Sequence, residues 1–468
     1  MDSTRLPQLV GRTREMGLLR TAFDRSEPSL VVVSGPAGSG KSALVRAAAA
    51  DFPHVIHRAP PLPDPSQRAA FAASLRLTWP DARPVAELAV DPTWDEALGA
   101  ATEGVQGRPT VVVVDDAHRW NQARARFGPA LVGALAGAKR RGRAVHVVLV
   151  SPEPMEPIAP VKDESPPLHV RLGPLPFRAA AQLLPGSEPS ELLRAYAVFG
   201  GTPAHLRQVD RGTSLVTNLR RLVLEDGAPL GNRPLAMLEA AAQTPSRYAA
   251  ILVALATGEA DWSTVHAGVP DLTTSGQVAP YLKRLEDLGL VEVRRSLDAA
   301  PRSRSRRYRI KDPYLAFWYR FVLPNRERLS LDAGESILTT RIRPGLDHHV
   351  STVFPEICRQ YMTLDVMESL GANARECGSL WSPGLEIPVA GMLSSGGAFY
   401  GTPAPPDADG TDVLRRLDRT IRETRYGFGR ERRIRVLFSP GPMPPALRRE
   451  AARRHDVHLV DAHGLAGS

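Results

Sequence analysis

Residues 29–50, SLVVVSGPAGSGKSALVRAAAA, constrain this chain more than any other stretch. Leu30, Val31, Val32 and Val33 form an apolar, largely β-branched run that reads as a buried strand. The loop GPAGSGKS follows, made of Gly35, Pro36, Ala37, Gly38, Ser39, Gly40, Lys41 and Ser42. An alanine-rich, helix-forming segment comes next, and strand–loop–helix is the setting that a phosphate-binding loop requires. Gly35, Gly38 and Gly40 supply backbone conformations that a Cβ would obstruct, which lets successive amides face phosphate oxygens. The helix turns its positive end to the same place. Lys41 adds a point charge for the β- and γ-phosphates, and the Ser42 hydroxyl can ligate Mg²⁺. The implied ligand is a nucleoside triphosphate with its magnesium ion.

At 468 residues the chain is long enough for about three domains. Two cysteines, Cys358 and Cys377, have no metal-ligand spacing and fit a reducing compartment. Residues 1–10 do not read as a signal peptide and no apolar run reaches membrane-spanning length, so the expected location is cytoplasmic, with no membrane partner. A net charge of +9, carried mostly by arginine, permits a polyanionic partner without proving one.

Upstream of the loop, LVGRTREMGLLRTAF carries Gly11, Arg12 and Glu15 ahead of an amphipathic helix. This GR-x-x-E pattern resembles the adenine-side box of AAA-type ATPases, which would place Gly11 and Arg12 at the nucleotide. Downstream, TVVVVDDAHRW sets four valines before two carboxylates. Four consecutive valines suit a strand covered on both faces, and its C-terminal end is where open α/β sheets bind ligands. The stretch resembles a Walker B motif. Asp115 would hold Mg²⁺ opposite Ser42, and Asp116 would orient or deprotonate the attacking water. The Asp–Asp pair beside His and Trp is more like the large ATP-dependent LuxR-family regulators than most AAA-type ATPases, which have Glu second. His118 and Trp120 read as packing or rim residues. Ser151 ends the strand AVHVVLVS, where AAA-type enzymes place a polar sensor of the γ-phosphate. The short proline-rich loop 152–167 offers no arginine to assign as a finger.

Gly200, Gly201, Thr202 and Pro203 lie between two helix-like stretches. GGTP suits a helix stop and restart. It also resembles the GG-x-P lid motif of archaeal-type ATPases, a branch related to the STAND NTPases, in which the proline approaches base or phosphates. From about 234 to 311 the pattern is three helices and a β-wing, resembling a winged helix-turn-helix. Its third helix would enter a DNA groove, and Arg302, Arg304, Arg306 and Arg307 at the wing tip could hold phosphates. The mixed charges Lys283, Arg284, Glu286 and Asp287 weaken that reading, and a protein-contact role stands beside it. RYRIKDPYLAFWYRFVLPNRERL resembles the signature that follows the winged helix in archaeal-type ATPases. Its aromatic residues Tyr314, Phe317, Trp318, Tyr319 and Phe321 read as core packing.

In that family the last domain resembles a PD-(D/E)xK nuclease. At the places of the required acid and E-x-K this chain has Pro388, Thr402 and Ala404, while Glu356 and Glu386 remain isolated, so nuclease activity is expected to be lost. The arginines between Arg415 and Arg454 read either as a docking surface or as a solvated face.

The expected fold is α/β: a P-loop parallel-sheet core over 1–175, a helical lid over 176–232, a winged helix with an aromatic helix over 233–330, and a degenerate nuclease-like α/β domain over 331–468. The expected function is binding and Mg²⁺-dependent hydrolysis of ATP in a conformational switch. The alternative is a DNA-binding transcriptional regulator with ATP as an allosteric ligand. Expected ligands are ATP, with GTP as its rival, and Mg²⁺. DNA, through the wing and the arginine patches, and a protein partner or second copy are the candidate macromolecular partners.

Overall fold

The computed structural model describes residues 9–467, except 104–106, 153–165, 242–243, 270, 273, 301, 304, 330–333, 366–369 and 407–408. The chain divides into two compact units, residues 1–173 and 174–468. The first is organised on five parallel strands, β1 (Ser29–Ser34), β2 (His54–Arg58), β3 (Thr110–Asp115), β4 (Val145–Ser151) and β5 (Leu168–Arg171), in the order β2-β3-β4-β1-β5. The valines of β3 alternate between two apolar layers. Val112 and Val114 pack with Phe71, Trp94 and Trp120, and Val111 and Val113 with Leu44, Val45 and Phe23. Burial on both faces is what makes a continuous valine run, rather than an alternating one, fit a central parallel strand. Helices Lys41–Ala49, Asp64–Thr78, Trp94–Glu103 and Arg124–Arg140 lie between the strands in the chain.

The second unit begins with helices Phe177–Ala181 and Pro189–Phe199. Helices Pro245–Leu255, Trp262–Ala267 and Ala279–Asp287 follow, with a small antiparallel sheet in the order β6 (Ala260–Asp261), β8 (Arg307–Ile310), β7 (Val291–Arg294). Asp261 caps the middle helix by accepting from the Thr264 amide at 2.9 Å. Asp312 caps Pro313–Phe317, which continues helically to Val322; Tyr314, Phe317, Trp318 and Tyr319 are almost fully buried.

Long helix Arg343–Leu364 then leads to a mixed sheet in the order β13-β12-β11-β10-β9. β9 (Ala374–Ser382), β10 (Leu385–Leu393) and β11 (Ala398–Pro403) are antiparallel neighbours, whereas β11, β12 (Arg433–Phe438) and β13 (Val457–Val460) run parallel. Helix Gly410–Glu423 makes the crossover from β11 to β12, and Pro445–Ala451 that from β12 to β13. A parallel pair needs such a crossover, because its strands must start at the same end.

Two motifs that looked independent in the sequence prove to be one contact. Gly200 has φ of +69°, and a Cβ there would overlap the Asp312 carboxylate; one on Gly201 would overlap the Leu175 carbonyl. The Thr202 hydroxyl donates to Asp312 at 3.3 Å. GGT is therefore shaped to receive the start of the DPYLAFWY helix, and Pro203 opens a short helix behind it.

Of the four arginines expected at the wing tip, Arg307 is engaged with the mixed sheet. The Leu297 amide donates to the Ser379 carbonyl at 3.0 Å, and the Trp381 amide donates to Ser296 Oγ at 3.0 Å. Arg307 donates to Glu386 at 2.9 Å and stacks 4.8 Å above the Trp381 ring. The base of the β7–β8 hairpin is thus tied to β9 and β10 of the mixed sheet, with Arg307 held between Glu386 and Trp381. Arg304 lies outside the described residues.

Candidate nucleotide site

At the C-terminal edge of the five-stranded sheet, β1 turns into the glycine-rich loop. Gly35, Gly38 and Gly40 have φ of +148°, +85° and +93°, a region that side-chain-bearing residues avoid. At Gly35 a Cβ would also overlap the Leu172 carbonyl oxygen. Gly40 stands at the N-terminus of helix Lys41–Ala49, and no side chain caps that end. Its first amides are left for an anion.

Lys41 folds back over the loop and donates to the carbonyls of Gly35 (2.7 Å) and Pro36 (3.0 Å). Burial lowers its pKa, and the charges of Asp115 and Asp116 oppose that shift. The ammonium is thus bonded to the loop and within electrostatic reach of Asp115 and Asp116. Ser39 Oγ is buried in the loop with no hydrogen-bond partner. Ser34 and Ser151 are paired in register where β1 and β4 end, so Ser151 stands beside the strand that feeds the loop.

Arg12 sits against this loop, and Gly11, one residue before it, is exposed with φ of +64°. Arg12 is 6% exposed and donates to the carbonyls of Ser39 (3.3 Å) and Gly173 (2.5 Å) and to Glu15 (3.2 Å). Its role is to tether the loop to the end of β5, a support that the resemblance alone did not reveal. Pro203 belongs to the second unit.

Asp116 is the only non-glycine residue among those described with positive φ, +57°. Asp tolerates that region better than most residues, yet holding it there stores strain, a feature that concentrates at functional sites. Its carboxylate accepts from Arg58 Nε at 3.0 Å, with Arg119 Nη2 3.4 Å away, and its amide donates to Asp115 at 3.0 Å. The Arg58 side chain is exposed, while Arg119 is fixed by a 2.8 Å bond to the Ala59 carbonyl. On β2 and the neighbouring helices His57, Phe71, Trp94, Trp120 and Phe127 form an aromatic cluster of edge-to-face and tilted pairs. Burial pushes His57 down to about 4. Trp120 is a packing residue, as its sequence setting implied. Arg58 was missed by sequence reasoning, because only the β2–β3 pairing brings it to Asp116, whereas Arg119 reaches the same carboxylate locally, three residues on.

These residues fit a magnesium nucleoside triphosphate: a glycine cradle, free helix amides, a cation poised over the loop, a hydroxyl at Ser42 and a facing pair of acids. Among the described residues no cluster of three or more His, Cys, Asp or Glu could hold a metal by protein ligands alone. Among those residues, too, no helix is long and apolar enough to cross a membrane.

Residues 8–150 match the family model described as AAA ATPase domain, and residues 318–400 the one described as Archaea bacterial proteins of unknown function. An uncharacterized protein of Methanocaldococcus jannaschii is 23% identical over 237 residues, covering 48% of this chain and 49% of that relative. The match thus spans about half the length of that curated relative. Among solved structures, the Walker-type ATPase of Pyrococcus abyssi superposes with TM-score 0.49 at 16% identity, over 68% of this chain and 98% of the other. A STAND protein with a tetratricopeptide-repeat sensor from Pyrococcus horikoshii gives 0.31 at 15% identity, over 78% and 51%. The Aeropyrum pernix ORC1 protein in complex with DNA gives 0.32 at 15% identity, over 71% and 96%. The cradle around Lys41 thus lies in the part of the chain that matches an AAA ATPase domain, and the aromatic helix lies at the start of the part that matches a family of archaeal and bacterial proteins of unknown function.

Proposed function

We propose that this chain binds magnesium ATP at the loop 35–42 and hydrolyses it, using turnover as a conformational switch. The carrying observation is Lys41: its ammonium rests on two loop carbonyls at an uncapped helix end, facing Asp115 and Asp116. Incoming phosphates would take over those donors and meet the free helix amides. Ser42 and Asp115 would hold the magnesium ion, which when bound neutralises charge on the phosphates. Asp116 would accept a proton from water, Ser151 would report on the terminal phosphate, and Gly11 and Arg12 would hold the loop in shape. The switch reading rests on Asp116, whose strained backbone and two arginine partners hold its carboxylate in an ion pair that an arriving triphosphate can contest.

The domain plan read from the sequence is kept as part of this proposal: ATPase core, lid, winged helix and degenerate nuclease-like domain. Loss of nuclease chemistry is supported by Glu356, whose carboxylate is bonded by Arg294, Arg309 and Arg359 and so is already neutralised. The regulator alternative draws no support from Arg307, given its contacts with Glu386 and Trp381. Phosphate release from ATP and from GTP, wild type against Lys41→Ala, tests the central claim. Equal release by both proteins would remove it.

A further inference from the structure

Phe428 is 80% exposed, the only aromatic among the exposed large hydrophobic side chains of the described residues. Its exposure is held in place by the surrounding structure. The Phe428 amide donates to the Arg425 carbonyl at 3.1 Å and the Arg430 amide to the Gly427 carbonyl at 3.2 Å, forming two consecutive tight turns. Gly427 and Gly429 flank the ring with φ of +68° and +78°. A Cβ on Gly427 would overlap the Tyr400 hydroxyl, so glycine is what lets the turn lie on the mixed sheet. Tyr400 donates to the Tyr426 carbonyl at 2.6 Å, and Tyr426 donates to Glu376 at 2.8 Å. The sheet thus anchors the base of the turn, and the phenyl ring stands out in water.

The surroundings of the ring are cationic. Residues 422–433, RETRYGFGRERR, hold Arg422, Arg425, Arg430, Arg432 and Arg433 against Glu423 and Glu431. Arg422, Arg425 and Arg430 are exposed and form no ion pair among the described residues. Asp418, on the preceding helix, is already bound by Arg435 and Arg454, so it leaves these cations uncompensated. Favourable placement at a helix C-terminus accounts for Arg422. It does not account for Arg425, Arg430 or an exposed aromatic ring between them.

We propose that the turn 425–430 is a contact site for single-stranded nucleic acid, with a base stacked on Phe428 and neighbouring phosphates held by Arg422, Arg425 and Arg430. An aromatic face accepts any unpaired base, whereas a duplex keeps its base faces covered; this selects a single strand over double-stranded DNA. The site is independent of the nucleotide loop and of the wing.

The test is fluorescence anisotropy of a labelled oligo(dT) with the full-length protein, without nucleotide, across a salt series, and with a hairpin duplex as competitor. Lys41→Ala serves as background, so failure at the ATP site leaves the assay readable. The expected result is preference for the single strand and a log–log salt slope near −2, about 0.7 for each of three phosphates. Phe428→Ala should weaken binding about tenfold at unchanged slope, and Phe428→Trp should restore it. Arg425→Glu should weaken binding and flatten the slope. Phe428 and Arg425 are both exposed, so these variants should fold. Unchanged affinity in Phe428→Ala, or equal binding of duplex and single strand, would overturn the proposal.

Discussion

The Asp116 carboxylate accepts a 3.0 Å hydrogen bond from Arg58 Nε, joining the C-terminal ends of neighbouring strands β2 and β3. A carboxylate oxygen that is held by an arginine is not free to accept from a water, so this bond must open before Asp116 can serve in that role. The pair therefore restrains the proposed base. Arg58→Ala should raise basal phosphate release several-fold while leaving nucleotide affinity nearly unchanged. Steady-state kinetics with kcat and KM resolved would check this, and a fall in kcat would assign Arg58 a supporting role instead.

Asp116→Asn should keep ATP binding and lose turnover by roughly 10²–10⁴-fold, the range for removing a general base. Asn also tolerates positive φ, so the variant should fold. Asp116→Val places a β-branched residue at φ +57° and should cost about 1–3 kcal/mol of stability. Calorimetric binding together with thermal denaturation separates the two effects.

Lys41→Ala removes a charge that no neighbouring group can replace at the loop. Loss of charge-assisted contacts to phosphate is worth about 1.5–3 kcal/mol, or roughly ten- to a hundredfold in affinity. Isothermal titration with magnesium ATP would report it. An unchanged Kd would exclude the ammonium from phosphate binding.

Glu356 lies in a buried network with Arg294, Arg309 and Arg359, and Glu259 and Glu292 complete it. Burial alone would push the Glu356 carboxyl up, but the three arginines outweigh it and hold the group well below the carboxylate range. Its folded pKa is below the unfolded one, so its stabilisation is complete above about pH 4.5 and withdrawn as pH falls below that. Glu356→Gln leaves buried guanidinium groups underpaired and should cost about 3–5 kcal/mol at neutral pH. Denaturant midpoints of wild type and variant should converge as acid is added; a constant gap would sink the assignment.

The nucleotide cradle was legible in the sequence because it is local. Gly35 to Ser42 must turn, expose amides and start a helix within eight residues, and few sequences do that. The four valines of β3 were equally plain, since burial on both faces leaves no alternation to read. Residues 200–203 and 312 were legible as motifs and opaque as a contact, for their partners are more than a hundred positions apart.

The arginines needed tertiary structure. Written in sequence, Arg12, Arg58, Arg294, Arg307, Arg359 and Arg425 are the same residue type in a chain rich in it. Strand pairing and domain packing send Arg12 behind the loop, Arg58 to Asp116, Arg294 and Arg359 to Glu356, and Arg307 to Trp381, while Arg425 stays in water. The backbone pattern determined where this protein can turn around a phosphate. Which charges are neutralised and which remain free was decided by the fold, because a long, flexible cation takes its role from whatever carboxylate, ring or solvent lies within reach.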